Sequence, residues 1–206
     1  MKKGNLKTAT VIVLLATLAM FVAPVYAQPK TKTGNLHTMS VVSGEGEIVT
    51  QFKAMKMIWQ PVIDIPTAYY TDFGSMPWVQ IEGASWITYD YFVDNPTDDS
   101  WYIYKKTFDI PGNVVEATMS ITADNAYMLH VNGRLIGRDG NTYQPTPLLD
   151  PLNWQTIETY DITKTLREGD NKVVVYLRNY CRSDPSIQTN PTGLVFSIEI
   201  SYLGLE

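Results

Sequence analysis

Residues 117–137 constrain the fold of this chain more than any other segment. Small and apolar side chains alternate with polar ones over residues 117–123 and again over residues 127–132. A period of two residues is typical of strands that bury one face. Asn132-Gly133 then favours the positive φ angles of a tight hairpin turn, after which a further strand begins. No helical period fits, so this segment predicts the middle of an antiparallel sheet.

Three segments carry a resemblance to a known family. They are ADNAYMLHVNGRLIG (123–137), YDITKTLREGDNKVVVYLRN (160–179) and NPTGLVFSIEISY (190–202). Their marks are the corner Asp124-Asn125, the turn Asn132-Gly133, the connector with Asp161, Leu166, Gly169 and Asn171, and Asn190-Pro191 with Gly193 before the last strand. Over about residues 81–202 the chain resembles the galactose-binding-like jelly-roll domain, similar to the sugar-binding domain of β-galactosidases and β-glucuronidases. The resemblance implies a fold more than a function, because the family contains sugar binders, protein binders and structural members.

The chain divides into three predicted parts. Residues 1–27 combine a basic start, an apolar run and a small-residue site, which predicts a signal peptide. An uncleaved anchor is the alternative, although the apolar run is short for a membrane span. Residues 28–46 are polar and lack a period, so we expect a flexible lead. Short β-prone runs between Pro and Gly corners over residues 47–206 predict one all-β domain, an antiparallel β-sandwich of the jelly-roll, galactose-binding-like type.

The charge and the cysteine content limit the classes of partner that the chain can bind. Removal of residues 1–27 takes away three lysines, which leaves 13 basic against 21 acidic residues and a formal charge of −8. An acidic chain is a poor partner for nucleic acid or for an anionic membrane. We therefore expect a secreted or cell-surface protein without membrane contact after cleavage. Cys181 is the only cysteine, and it is either an inert thiol or a partner in an intermolecular disulfide.

The directions of the predicted strands place the long loops together. If the strand over residues 115–123 runs up, the successive reversals bring loops 94–99, 138–153 and 181–192 and the corner 124–125 to the upper end of the sandwich. Loops held by a rigid scaffold commonly carry binding sites. We therefore expect function at this end.

The side chains of these loops suit a carbohydrate. Aromatic faces can stack on a sugar ring, while charged groups can bond its hydroxyls. The candidate ligand-binding residues are Arg138, Asp139, Tyr143, Trp154, Arg182 and Asp184. In the alternative interpretation, Trp154 covers the open end of the sandwich and the charged residues form solvated pairs.

An acidic loop offers a second hypothesis. Asp94, Asp98 and Asp99 place three carboxylates close together, and calcium prefers oxygen ligands of this kind. This loop either holds a structural calcium ion or is an ordinary solvated loop. We expect no other cofactor.

The sequence contains few features that indicate catalysis. The histidines are His37 and His130, and neither a Gly-x-Ser-x-Gly elbow nor a His-Glu-x-x-His motif occurs. The similar modules of glycosidases are accessories, so we expect no enzyme activity. The leading hypothesis is an exported, non-catalytic module that recognises carbohydrate or a surface glycan. The alternative is a structural cell-surface or filament-forming protein that self-associates through strand edges and residues 28–50. A hydrolase is a distant third.

Overall fold

The computed structural model describes residues 34–44, 46–52, 57–65, 78–90, 100–140, 153–180 and 190–204. These ranges all lie in one compact unit, residues 33–206. The predicted signal peptide, the candidate ligand residues Tyr143, Arg182 and Asp184, the acidic residues Asp94, Asp98 and Asp99, and Cys181 lie outside the described residues. No helix in the described ranges is long and apolar enough to cross a membrane.

The described chain is built from β-strands and one short 3-10 turn, Asn153–Gln155. The strands are β1 (Leu36–Val42), β2 (Ile48–Gln51), β3 (Gln60–Pro61), β4 (Ile63–Asp64), β5 (Ile87–Thr88), β6 (Ser100–Ile110), β7 (Gly112–Asp124), β8 (Ala126–Val131), β9 (Arg134–Asp139), β10 (Glu158–Asp161), β11 (Gly169–Asn179) and β12 (Gly193–Gly204). They form two antiparallel sheets. In the first sheet the order is β10-β7-β12-β5-β4, with β1 also on β12; in the second it is β3-β2-β6-β11-β8-β9. The predicted antiparallel β-sandwich is confirmed.

The core lies between the two sheets. On β7 and β8 the alternating residues Met119, Ile121, Tyr127 and Leu129 are fully buried. They meet the inward side chains of β11 and β12 in one apolar cluster. Alternation buries one face of each strand and leaves the other to solvent or to covering segments. The period of two in the sequence therefore predicted the core correctly in these strands.

The turn and the connector at one end of the sandwich also form as the sequence indicates. Asn132 and Gly133 have φ angles of 51° and 83°, as a tight turn between β8 and β9 requires. Asn171 is an internal strut: its Nδ2 donates to the carbonyls of Arg167 and Gly169, both at 2.7 Å, and its Oδ1 accepts from Asn132 Nδ2 at 2.8 Å. We call this end of the sandwich the turn pole.

The prediction of a flexible lead over residues 28–46 is wrong for residues 36–42. This segment is β1, and it pairs with β12 from Leu36 opposite Leu203 to Val42 opposite Ser197. Because β1 is mostly exposed and buries only Val41, its side chains show no clear period. Its order comes from backbone hydrogen bonds to a strand near the other end of the chain, which no local pattern reports.

The β1 pairing also bears on the assembly hypothesis. The described part of the segment that was expected to reach a neighbour's sheet lies in the sheet of its own chain. Self-association through other strand edges stays a prediction.

Residues 78–81, for which the sequence predicts a strand, form none. Trp78 and Ile81 instead join Trp86 and Ile65 in a second apolar cluster around Val195. Val195 is buried on β12, but it belongs to this cluster and not to the one between the sheets. The second cluster therefore lies on the outer face of the first sheet, where Trp78 and Ile81 are buried without pairing as a strand.

Candidate ligand site at the loop pole

Strand register brings several strand ends to the end of the sandwich opposite the turn pole. We call this end the loop pole. The cross-strand pairs that mark it are Asp124 with Gly193, Ser100 with Asn179, and Tyr127 with Asp139. The described residues that flank loops 94–99, 141–152 and 181–189 therefore converge, as the strand directions predict. The loops themselves lie outside the described residues.

Hydrogen bonds lock the loop pole. Asn125 Oδ1 accepts from Tyr180 N at 2.8 Å, which ties the corner after β7 to the end of β11. Thr192 Oγ1 donates to the carbonyl of Asp124 at 2.8 Å, and Asn190 Nδ2 donates to the carbonyl of Tyr180 at 2.6 Å. The side chain of Asn125 thus bonds the end of a neighbouring strand. This structural role explains the presence of Asn125 at the corner, and no ligand contact is needed to explain it.

A cluster of partly buried polar side chains lies beside the end of β9, and we call this cluster the recess. Asp139 is half-buried, and its Oδ1 accepts from Gly140 N at 2.8 Å. Gly140 has a φ of 69°, and a Cβ at this position would lie 2.4 Å from Asn153 Nδ2. Asn153 is only 2% exposed, and its Nδ2 has no hydrogen-bond partner. A glycine is therefore required for Asn153 to approach the backbone beside Asp139.

Glu158 supplies a second carboxyl group to the recess. Its Oε1 accepts from Thr156 Oγ1 at 3.0 Å, and its Oε2 is buried without a hydrogen-bond donor. Burial raises the pKa of Glu158, and the negative charge of Asp139 raises it further. Sequence reasoning missed Glu158, because no motif connects it to Asp139 and only the meeting of β9 with β10 brings the two together.

Two tyrosines form the inner wall of the recess. Tyr127 pairs with Asp139 across β8 and β9, and Tyr160 lies on the same face of β10 as Glu158. Their hydroxyl groups are 3.1 Å apart. Burial raises the pKa of both phenols, with the neighbouring carboxylates adding to the effect. Both hydroxyls therefore stay protonated at neutral pH and can donate hydrogen bonds.

The raised pKa of Glu158 predicts a pH dependence of stability. The contribution of this carboxyl is fully present below its ordinary pKa of 4.5 and is lost as the pH rises through the raised value. Glu158→Gln cannot ionise at this position, so its stability should not fall with pH for this reason. We therefore expect the free energy of unfolding of the variant, relative to that of the parent protein, to increase from pH 4 to pH 7. Urea unfolding at a series of pH values measures the difference. A difference that is independent of pH would contradict the shift.

The candidate residues on either side of the recess differ in role. Arg138 is exposed and, by strand alternation, points to the opposite face of β9 from Asp139. Trp154 follows Asn153 in the 3-10 turn, is half-buried and packs against the second apolar cluster, while its carbonyl accepts from Val79 N at 3.0 Å. The contacts of Trp154 favour the alternative in which it covers apolar residues, although these lie on the outer face of a sheet and not in the open end of the sandwich.

Other chemistry is limited in the described ranges. No group of three or more His, Cys, Asp or Glu side chains that could hold a metal ion occurs there. His37 stacks on Tyr202 with ring centroids 5.5 Å apart, and His130 meets Tyr176 edge-on at 5.3 Å. The histidines are thus engaged with aromatic rings on separate strands.

Comparison with known proteins finds similarity to one domain of a glycosidase. Residues 112–202 match the family described as the α-L-rhamnosidase N-terminal domain. A curated α-L-rhamnosidase from Streptomyces avermitilis is 28% identical over 103 residues, which are 48% of this chain and 9% of that enzyme. The chain thus corresponds to a small part of that relative.

Solved structures with a similar fold include glycosidases of several kinds. The S. avermitilis α-L-rhamnosidase complexed with L-rhamnose shows 24% identity and a TM-score of 0.45, covering 61% of this chain and 12% of that one. A family GH78 rhamnosidase of Bacillus sp. GL1 shows 30% identity and a TM-score of 0.45, with coverage of 59% and 12%. A Ruminococcus gnavus β-glucuronidase shows 14% identity and a TM-score of 0.40, with coverage of 80% and 29%.

The family match covers β7 to β12, where the sequence resemblance is concentrated. The predicted resemblance to the galactose-binding-like sandwiches of glycosidases is thereby confirmed: residues 112–202 are similar to the N-terminal β-sandwich domain of α-L-rhamnosidases, which is not the catalytic domain of those enzymes.

Proposed function

We propose that this chain is an exported, non-catalytic module that binds carbohydrate at the loop pole. The observation that carries the proposal is the polar recess formed by Asp139, Asn153 and Glu158. It combines carboxylate acceptors with an amide donor, and sugar hydroxyls require both kinds of partner. The similarity to a domain of α-L-rhamnosidases adds support, because it places such sandwiches beside enzymes that act on sugars.

Rigidity favours binding at this recess. Thr122 Oγ1 donates to the carbonyl of Asn153 at 2.8 Å, and Asp139 Oδ1 accepts from Gly140 N at 2.8 Å, so two members of the recess are held in place before a ligand arrives. A preformed site spends less free energy on ordering side chains during association. Asn153 Nδ2, which is buried without a hydrogen-bond partner, gains one when a hydroxyl group enters. The recess is therefore suited to a small polyol.

The remaining candidate residues extend the proposal. Tyr143, Arg182 and Asp184 belong to loops that flank the recess in sequence, and Arg138 borders Asp139 on the outer face of β9. We assign the ring contact to Tyr143 in preference to Trp154, because Trp154 is already packed against apolar residues. We also propose that Asp94, Asp98 and Asp99 hold a structural calcium ion through their carboxylate oxygens.

A glycan array that includes α-L-rhamnosides tests the proposal. We expect Asp139→Asn to weaken binding by roughly 10- to 100-fold, the effect of losing a hydrogen bond to a charged group. The matched control is Asp109→Asn, which makes the same chemical change on the exposed end of β6 at the turn pole. Trp154→Ala should weaken binding less than Asp139→Asn does.

Two outcomes would contradict the proposal. One is the absence of glycan binding by the folded protein. The other is binding that Asp139→Asn and Asp109→Asn reduce equally, because such an effect would reflect charge and not the recess.

A further inference from the structure

We propose that a cleft at the turn pole is a second binding site, specific for a sugar acid such as a hexuronate. The cleft has a volume of about 510 Å³, within the range of sites that hold small ligands. Its lining residues are Thr107, Asn132, Gly133, Arg167, Asp170, Asn171 and Lys172. The cleft is spatially separate from the loop pole. Strand β8 runs from one pole to the other, and its residues span roughly 20 Å at about 3.3 Å per residue.

The backbone around the cleft is rigid. Asn132 Nδ2 donates to the carbonyl of Thr165 at 2.7 Å, and Asn132 Oδ1 accepts from Lys172 N at 2.9 Å. Asn171 Oδ1 accepts from Arg167 N at 3.1 Å, which joins the connector to the start of β11. The turn, the connector and the strand are therefore one hydrogen-bonded unit. The backbone positions of the side chains that line the cleft are therefore fixed.

Two cationic groups line the cleft without an ion-pair partner among the described residues. Arg167 Nε donates to the carbonyl of Asp170 at 3.1 Å, which holds the guanidinium group while its terminal nitrogens stay unbonded among the described residues. Lys172 lies next to Thr107 across β11 and β6, and its ammonium group makes no ion pair within the described ranges. The chain as a whole is acidic, with a formal charge of −5, so two positively charged side chains in one cleft stand out from its overall charge. They suit a carboxylate, which Arg binds through paired hydrogen bonds.

Asp170 decides the class of anion. Its carboxylate lies in the same lining and leaves a net charge of about +1 from the three charged side chains. A doubly charged inorganic anion would meet this carboxylate at short range, whereas a sugar acid can place a hydroxyl group against it. The hydroxyl of Thr107, the cross-strand partner of Lys172, offers a further contact. The cleft therefore matches one carboxylate with adjoining hydroxyl groups.

Titration calorimetry and NMR shift mapping with sodium D-galacturonate test this site on the full chain. D-galactose serves as the neutral counterpart and sodium sulfate as the plain anion. We expect millimolar or tighter galacturonate binding that Arg167→Ala and Lys172→Ala each weaken by about 10-fold or more. Both residues are exposed, so the variants should keep the parent melting temperature. The matched control is Lys164→Ala, an exposed lysine of the same connector that does not line the cleft.

The proposal is overturned by any of four results. These are no galacturonate binding at millimolar concentrations, galactose binding of equal strength, sulfate binding of equal strength at the same residues, or an equal loss in Lys164→Ala. Because none of these variants touches the recess at the loop pole, failure here leaves the carbohydrate proposal for that pole standing.

Discussion

Glu47→Ala should lower the free energy of unfolding by about 3–5 kcal/mol, because it leaves the ammonium group of Lys106 buried without its counterion. Lys106 Nζ and Glu47 Oε1 are 2.8 Å apart, and their side chains are only 9% and 1% exposed. Solvent screens a pair with so little exposure only weakly. Removal of one member of a buried ion pair is therefore far more costly than the loss of a surface pair.

The pair also connects the two sheets. Lys106 projects from β6 of the second sheet and donates to the carbonyl of Val42, the last residue of β1 in the first sheet, at 2.7 Å. Glu47 Oε2 accepts from Gly44 N at 3.2 Å within the link between β1 and β2. Loss of the pair should therefore loosen β1 before the rest of the sandwich, which hydrogen exchange of the β1 amides can detect.

Urea unfolding with matched variants distinguishes the buried pair from a general charge effect. Glu116→Ala removes an exposed carboxylate and should change stability by no more than about 0.5 kcal/mol. The double variant Glu47→Leu/Lys106→Met should be more stable than Glu47→Ala, because it leaves no buried charge. A loss in Glu47→Ala no larger than that in Glu116→Ala would sink the argument.

Trp86→Ala should cost a similar amount, about 3–5 kcal/mol, through the cavity that it opens in the second apolar cluster. Trp86 is fully buried, and its ring centroid lies 4.3 Å from that of Trp78. Its indole Nε1 donates to the carbonyl of Val79 at 2.9 Å, so the variant also leaves that acceptor without its partner. Val79 in turn donates to the carbonyl of Trp154, and the damage should reach the 3-10 turn beside the recess.

The controls for Trp86 vary ring size and exposure. Trp86→Phe keeps an aromatic ring, but loses the hydrogen bond and part of the contact area, and should cost less than Trp86→Ala. Trp154→Ala removes a half-buried ring of the same cluster and should also cost less. Chemical denaturation of the three variants gives the order. If Trp86→Ala proved the mildest of them, the second cluster would not be the support that its burial indicates.

Several features of the fold could be predicted because their causes are local. The positive φ angles at Asn132 and Gly133 follow from the conformational preferences of these two residues. The buried alternation of Met119, Ile121 and Leu129 follows from strand geometry alone.

The candidate ligand site was only partly predictable. Asp139 was identified as a residue of loop 138–153, which the strand directions place at the loop pole, and the structure puts it at the end of β9. Glu158 and Asn153 were missed because their proximity to Asp139 depends on how the edges of two different sheets meet. Trp154 looked like a ligand platform by residue type, and its packing against the second cluster showed a different role.

By itself, the sequence determined strands β6 to β12, the tight turn and the sandwich class, because these depend on side-chain period and on backbone preferences of one or two residues. The tertiary structure alone decided that residues 36–42 complete the first sheet, that Lys106 finds Glu47, and that Glu158 lies beside Asp139. Each of these contacts joins residues that are distant along the chain or on different sheets. Their free energies come from desolvation and pairing in three dimensions, which no local pattern of residues records.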